Sequence, residues 1–152
     1  MSLDLLSRIL RLERRLDSLA KPEIGWTPHF LTTPYTHASF NGDSYSDVAA
    51  NTIIDNAGWS TTIPATAKAL MITCMCRDSG SAATTDLYVA LYSTAAAATA
   101  TAAIRPSSKA NDDYEQQGPI IIPCTDGDIW YRVNASGATT MDIWLWCFGW
   151  WE

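Results

Sequence analysis

The chain reads as mainly β, a jelly-roll-like β-sandwich preceded by a short N-terminal coiled-coil helix. Three observations carry that expectation. From Val48 onward, about eight short runs of β-branched, aromatic and aliphatic residues recur between turn signals. Before them, the apolar residues from Leu3 to Leu19 follow a heptad rather than an alternation. Five of the seven tryptophans, Trp130, Trp144, Trp146, Trp150 and Trp151, crowd into the last 23 residues. The plan is a coiled-coil trimerisation helix at 1–21, an extended neck at 22–41 and a sandwich head at 42–152.

The heptad places Ile9 and Leu16 at a, and Leu5, Leu12 and Leu19 at d. Arg8 falls at g and Glu13 at e, so the Arg8 stem lies over the seam while its guanidinium meets Glu13 of a neighbouring helix. The run Arg8-Ile9-Leu10-Arg11-Leu12-Glu13 resembles the Arg-apolar-x-x-apolar-Glu motif of short three-stranded parallel coiled coils. Leu6 and Leu10 widen the apolar face, as an amphipathic helix folded onto its own domain requires. The seam stops at Pro22 and no partner helix is predicted later, which favours sister copies. So short a helix is marginal alone in water.

Between Lys21 and Asn41, Pro22, Pro28 and Pro34 predict extended, non-helical backbone. Trp26, Phe30, Tyr35 and Phe40 in this neck predict packing on the head or on a neighbouring copy. His29 and His37 have no carboxylate or cysteine at ligand spacing, so simple surface or packing roles are expected for both.

Val48 to Ile54 is the first predicted strand, with Asp55-Asn56-Ala57-Gly58 as its turn. Lys68 to Arg77 follows, with apolar residues on both faces, as in a central strand. Asp86 to Ser93 is next. Thr94 to Ala103, rich in Ala and Thr, and the polar Arg105 to Gln117 form a long surface excursion. Ile120-Ile121-Ile122 restores a strand between Pro119 and Pro123. Thr125-Asp126-Gly127-Asp128 is a turn, and Ile129 to Asn134 and Thr140 to Trp150 form a closing hairpin about Ala135-Ser136-Gly137-Ala138. In the last strand Ile143, Leu145 and Cys147 face one way, and Trp144, Trp146, Phe148 and Trp150 the other.

Charge divides the chain. Residues 1–21 hold five positive groups (Arg8, Arg11, Arg14, Arg15, Lys21) against three negative (Asp4, Glu13, Asp17), while the whole chain is -6. The remainder is therefore strongly acidic, which argues against nucleic acid as a partner. No apolar run approaches the length of a membrane helix, and the N-terminal pattern is not that of a signal sequence, so no membrane partner is expected. Cys74, Cys76, Cys124 and Cys147 lack metal or redox spacing and read as buried thiols, with a Cys124–Cys147 bridge left open.

No metal or other cofactor is expected, and catalysis finds little support. Both histidines lie in the neck, so a Ser-His-Asp set has no framework. Asp126 and Asp128 read first as turn residues, and Asp112 and Asp113 lie in the polar loop. The aromatic ladder of the last strand has two readings. Trp144, Trp146, Phe148 and Trp150 seal neighbouring heads of a trimer together with Leu5, Arg8, Ile9, Leu12, Glu13, Leu16 and Leu19 of the stalk. Alternatively the exposed tryptophans stack sugar rings, as in a carbohydrate-binding module.

The series Trp59-Ser60, Ile63-Pro64-Ala65, Arg77-Asp78-Ser79-Gly80, Cys124-Thr125-Asp126-Gly127-Asp128-Ile129-Trp130-Tyr131, Ala135-Ser136-Gly137 and Met141-Asp142-Ile143-Trp144-Leu145 resembles the β-structured heads of tailed-bacteriophage virion proteins. These are head fibre, decoration and spike proteins with a coiled-coil stem and a trimeric β knob. The resemblance implies a non-enzymatic homotrimer made in the host cytoplasm and carried on the virion. It further implies that one end is bound to capsid or tail proteins and that the knob is displayed, with host surface glycans as a further partner. Long shaft repeats are absent, which favours a short head fibre, decoration protein or small spike over a long tail fibre.

Overall fold

A computed structural model describes residues 25–59, 63–82, 86–106 and 114–152. The expected coiled-coil helix, with Leu5, Arg8, Ile9, Leu12, Glu13, Leu16 and Leu19, lies outside the described residues. The described chain is mainly β: β1 (Pro28–Tyr45), β2 (Val48–Ile54), β3 (Ala69–Asp78), β4 (Tyr88–Tyr92), β5 (Ala102–Ile104), β6 (Glu115–Pro123), β7 (Ile129–Asn134) and β8 (Met141–Trp151). They form two antiparallel four-stranded sheets, ordered β1-β8-β3-β6 and β2-β7-β4-β5, consistent with a β-sandwich.

Alternation builds the core. On β3, Leu70, Ile72, Cys74 and Cys76 are fully buried, and Met141, Ile143, Leu145 and Cys147 of β8 are buried beside them. The second sheet answers with Ile54, Val89, Leu91, Ile104, Ile129 and Val133. Each such aliphatic side chain contributes roughly 1.5–3 kcal/mol on leaving water. All four cysteines are free, Cys124 and Cys147 among them. Burial pushes the Cys76 thiol up to about 12, and the Cys124 and Cys147 thiols up to about 11.

The predicted neck is extended but does not stand apart from the head. From Pro28 onward it is the edge strand β1, which crosses the expected 41/42 boundary and pairs with β8. Its 18 residues cover the 11 of β8 because it bulges three times, between Phe30 and Tyr35, between Thr36 and Asn41 and between Asn41 and Asp43. The second bulge turns His37 and Phe40 inward, to 4% and 2% exposure. Ser39 N–H donates to His37 Nδ1 at 3.1 Å, and Nε2 lies 3.3 Å from the Asp55 carbonyl. Those contacts define the neutral Nε2–H tautomer, and burial lowers the His37 pKa, against the raising effect of Asp55. Gly149 lets β1 approach, since a Cβ there would sit 2.3 Å from the His29 carbonyl oxygen.

The expected closing hairpin is corrected as well. β7 belongs to one sheet and β8 to the other, so residues 135–140 arch across the edge of the sandwich. A hairpin and an arch both bury alternate residues, and the anchor that selects the arch comes from β3. Asp78, at the end of that strand, is 0% exposed. Its carboxylate accepts from Gly80 N–H at 2.8 Å, Ser136 N–H at 3.0 Å, the Thr140 hydroxyl at 3.0 Å, and the Ser136 hydroxyl. Burial opposes ionisation, but these donors from Ser136, Gly80 and Thr140 outweigh it and hold the carboxyl below the usual aspartate range.

Candidate assembly interface

The outer face of the first sheet takes the residues that the core leaves out. In the register, Trp144 lies between Met75 and Asn41, Trp146 between Thr73 and Thr36, and Gly149 between Met71 and Phe30. Trp144 is fixed from both sides. Gly42, at φ +82°, brings its backbone so close that a Cβ would lie 2.9 Å from the indole, and the Tyr114 ring stands 5.6 Å away. The Arg77 guanidinium lies 5.9 Å from the Trp144 ring and donates through Nε to Asp142 at 2.9 Å and through Nη1 to Tyr114 at 3.1 Å. At the other end of the face, Phe30 meets Trp151 edge-on at 6.2 Å. Phe30 and Ile121 remain 67% and 57% exposed.

Of the four aromatic residues expected on one face of β8, Trp144 and Trp146 share the outer face. Phe148 is the bulged residue, passed over where Met71 pairs with Gly149 and Ile72 with Cys147. That extra residue reverses the alternation. Trp150 therefore pairs with the buried Leu70, packs against the core and stacks on His29 at 5.3 Å. The expectation that Trp150 faces outward with Trp144 is corrected, and Trp151 takes the outward position instead. Gly149 is the one local sequence signal of this change.

The second sheet has its own outer face. Trp130 pairs with Ile53 on one side and Tyr92 on the other, and Arg132 lies opposite Ala90. The Ala/Thr tract predicted as a free excursion turns back over the structure. Asn51 Nδ2 donates to the carbonyls of Thr94, Ala95 and Ala97 at 3.0–3.1 Å, and the tract ends in β5.

Asp126 and Gly127 both have positive φ, 57° and 78°, and Asp128 N–H donates to the Thr125 carbonyl at 3.0 Å, a tight turn of the expected place. Asp128 Oδ1 accepts from Asn56 N–H at 2.9 Å, tying that turn to the end of β2. Among the described residues no three His, Cys, Asp or Glu side chains gather as a metal site, and no helix is long and apolar enough to cross a membrane. No protein-family model, curated protein or solved structure matches this chain.

Proposed function

We propose that the chain is the subunit of a non-enzymatic homotrimeric structural protein, a jelly-roll head on a short coiled coil, of the head fibre, decoration or spike kind displayed on phage virions. The observation that carries the reading is the outer face of the first sheet, where Trp144, Trp146, Trp151, Phe30, Met71 and Ile121 lie on adjoining strands. A patch of that kind is the mark of an interaction surface, and the occupant proposed is a second copy. The place where the described chain begins supports that choice. Thr27 exchanges two backbone hydrogen bonds with Glu152, at 2.7 and 3.1 Å, so the chain carrying the heptad joins the head beside Phe30 and Trp151. Parallel helices bundled there bring equivalent faces together.

The jelly-roll reading is supported by strand order. β1-β8-β3-β6 over β2-β7-β4-β5 is the order made by two interleaved Greek keys, an architecture shared by capsid and lectin domains. Function drawn from architecture is analogy. Capsid or tail proteins are the partners this reading assigns to the stalk end, and host glycans to the displayed end.

The test is native mass measurement of the full chain, alone and with Trp146→Glu. A trimer that Trp146→Glu loosens to monomer, with an unchanged circular dichroism spectrum, is expected. A monomeric wild-type chain at micromolar concentration overturns the proposal. A chain lacking residues 1–20 then separates the share of the helix from that of the sheet face.

A further inference from the structure

Three arginines of the described structure lie over aromatic rings, and two of them are also paired with an acid. Arg77 sits 5.2 Å from the Tyr114 centroid and binds Asp142, and Arg105 sits 5.3 Å from Tyr88 and binds Asp86. Arg132 has the ring without the acid. Its guanidinium carbon is 5.0 Å from the centroid of the buried Tyr92, and its Nε is buried with no hydrogen-bond partner. No ion pair among the described residues includes it. In a chain with 16 acidic and 10 basic side chains, an arginine left without a carboxylate on an ordered strand is the exception that needs a reason.

Its surroundings supply one. Arg132 and Trp130 project from the same face of β7, two residues and therefore about 6.6 Å apart. Ile53, 49% exposed, continues the apolar surface past Trp130, while Asn51 on the same strand pins the Thr94–Ala97 turn. The stack on Tyr92 fixes the plane of the guanidinium, which suits two parallel hydrogen bonds to a carboxylate. An indole beside it offers a flat apolar surface to the C–H face of a pyranose. The stacked guanidinium offers one unpaired fork beside the indole, which matches a sugar ring that carries a single carboxylate.

We infer that the outer face of the second sheet binds a carboxylated polysaccharide, with Arg132 holding a uronate carboxylate and Trp130 stacking on the adjoining ring. This face is separate from the proposed assembly face, so the two readings stand or fall apart.

The experiment is calorimetric titration of the full chain with oligogalacturonate, with cellohexaose as the neutral control. Saturable binding of oligogalacturonate, weakened by added sodium chloride and absent with cellohexaose, is expected. Arg132→Gln lowers the affinity roughly tenfold or more, and Arg132→Lys recovers part of it because the charge returns without the fork. Trp130→Phe weakens binding of the same probe while keeping an aromatic in the sheet. Native masses and circular dichroism spectra of the variants stay at wild-type values, and loss of the Tyr92 stack lowers the melting temperature of Arg132→Gln only slightly. Lack of saturable binding to oligogalacturonate, equal binding of cellohexaose, or full affinity in Arg132→Gln overturns the inference. Should Arg132→Gln fail to fold, undiminished binding in both Arg132→Lys and Trp130→Phe overturns it equally.

Discussion

Replacing Asp78 with Asn tests whether one carboxylate holds the arch between the sheets. Its Oδ1 accepts from Gly80 N–H and the Ser136 hydroxyl, and its Oδ2 from Ser136 N–H and the Thr140 hydroxyl. An asparagine keeps one oxygen and turns an amide group toward the other pair. Thr140 can rotate its hydroxyl and accept, but the Ser136 N–H cannot. Stranding one buried donor costs about 1–3 kcal/mol. The remaining bonds lose their charge assistance, which roughly halves their strength. A destabilisation of about 3 kcal/mol follows, and a melting temperature lower by roughly 10 °C for a domain of this size. Urea and thermal unfolding at pH 7 and one fixed protein concentration measure both. The pH dependence is the sharper check. Because the folded-state pKa is depressed, the stabilisation is complete above the unfolded value of about 3.9 and is lost as pH falls through the folded one. Wild type and Asp78→Asn should therefore converge on acidification. Equal melting temperatures at pH 7, or parallel loss in acid, would refute the reasoning.

Two further substitutions address β1. The lowered pKa of His37 means that the unfolded chain takes up the proton first, so stability falls as pH drops below about 6.5 and levels off once the folded value is passed. His37→Gln should flatten the urea midpoint across that window, and a midpoint that still falls there assigns the titration to another group. Gly149→Ala places a methyl against the His29 carbonyl, so β1 must move off β8 at a cost of about 1–3 kcal/mol. Faster hydrogen exchange at Phe30 and the residues it pairs with is the expected readout, and unchanged exchange would show that β1 accommodates the methyl.

Much of the sandwich was legible because its strands obey the simplest rule. β2 has the bounds predicted for it, and β3, β4, β7 and β8 lie within a residue or two of theirs, because a run of β-branched, aromatic and aliphatic residues ends at turn signals in each. β1 was legible only as extended chain. Its prolines and three bulges break the alternation, and what holds it in a sheet is β8, about a hundred residues away. β5 is the last two residues of the Ala/Thr tract and Ile104, too short a run to mark a strand, and is placed by pairing with β4.

The proposed assembly face was half legible. Alternation put Trp144 and Trp146 on one side, but a single bulged residue at Phe148 exchanges Trp150 for Trp151, and a bulge has no reliable sequence mark beyond the neighbouring glycine. The arch was illegible for a different reason. Ala135-Ser136-Gly137-Ala138 has the composition of any turn, and the choice between pairing neighbours and crossing the sandwich rests on Asp78, more than fifty residues earlier. Arg132 was likewise hidden, because the absence of a partner can be seen only once the neighbours are placed.

The order of the first sheet has a consequence for the chain's manufacture. β8 lies between β1 and β3, so both of those strands present a bare edge until β8 inserts between them. The first sheet therefore cannot be finished piecemeal, and its completion is a cooperative event whose pace is set by long-range closure. A chain cut between β7 and β8 would be a product prone to clumping rather than a smaller version of the same domain.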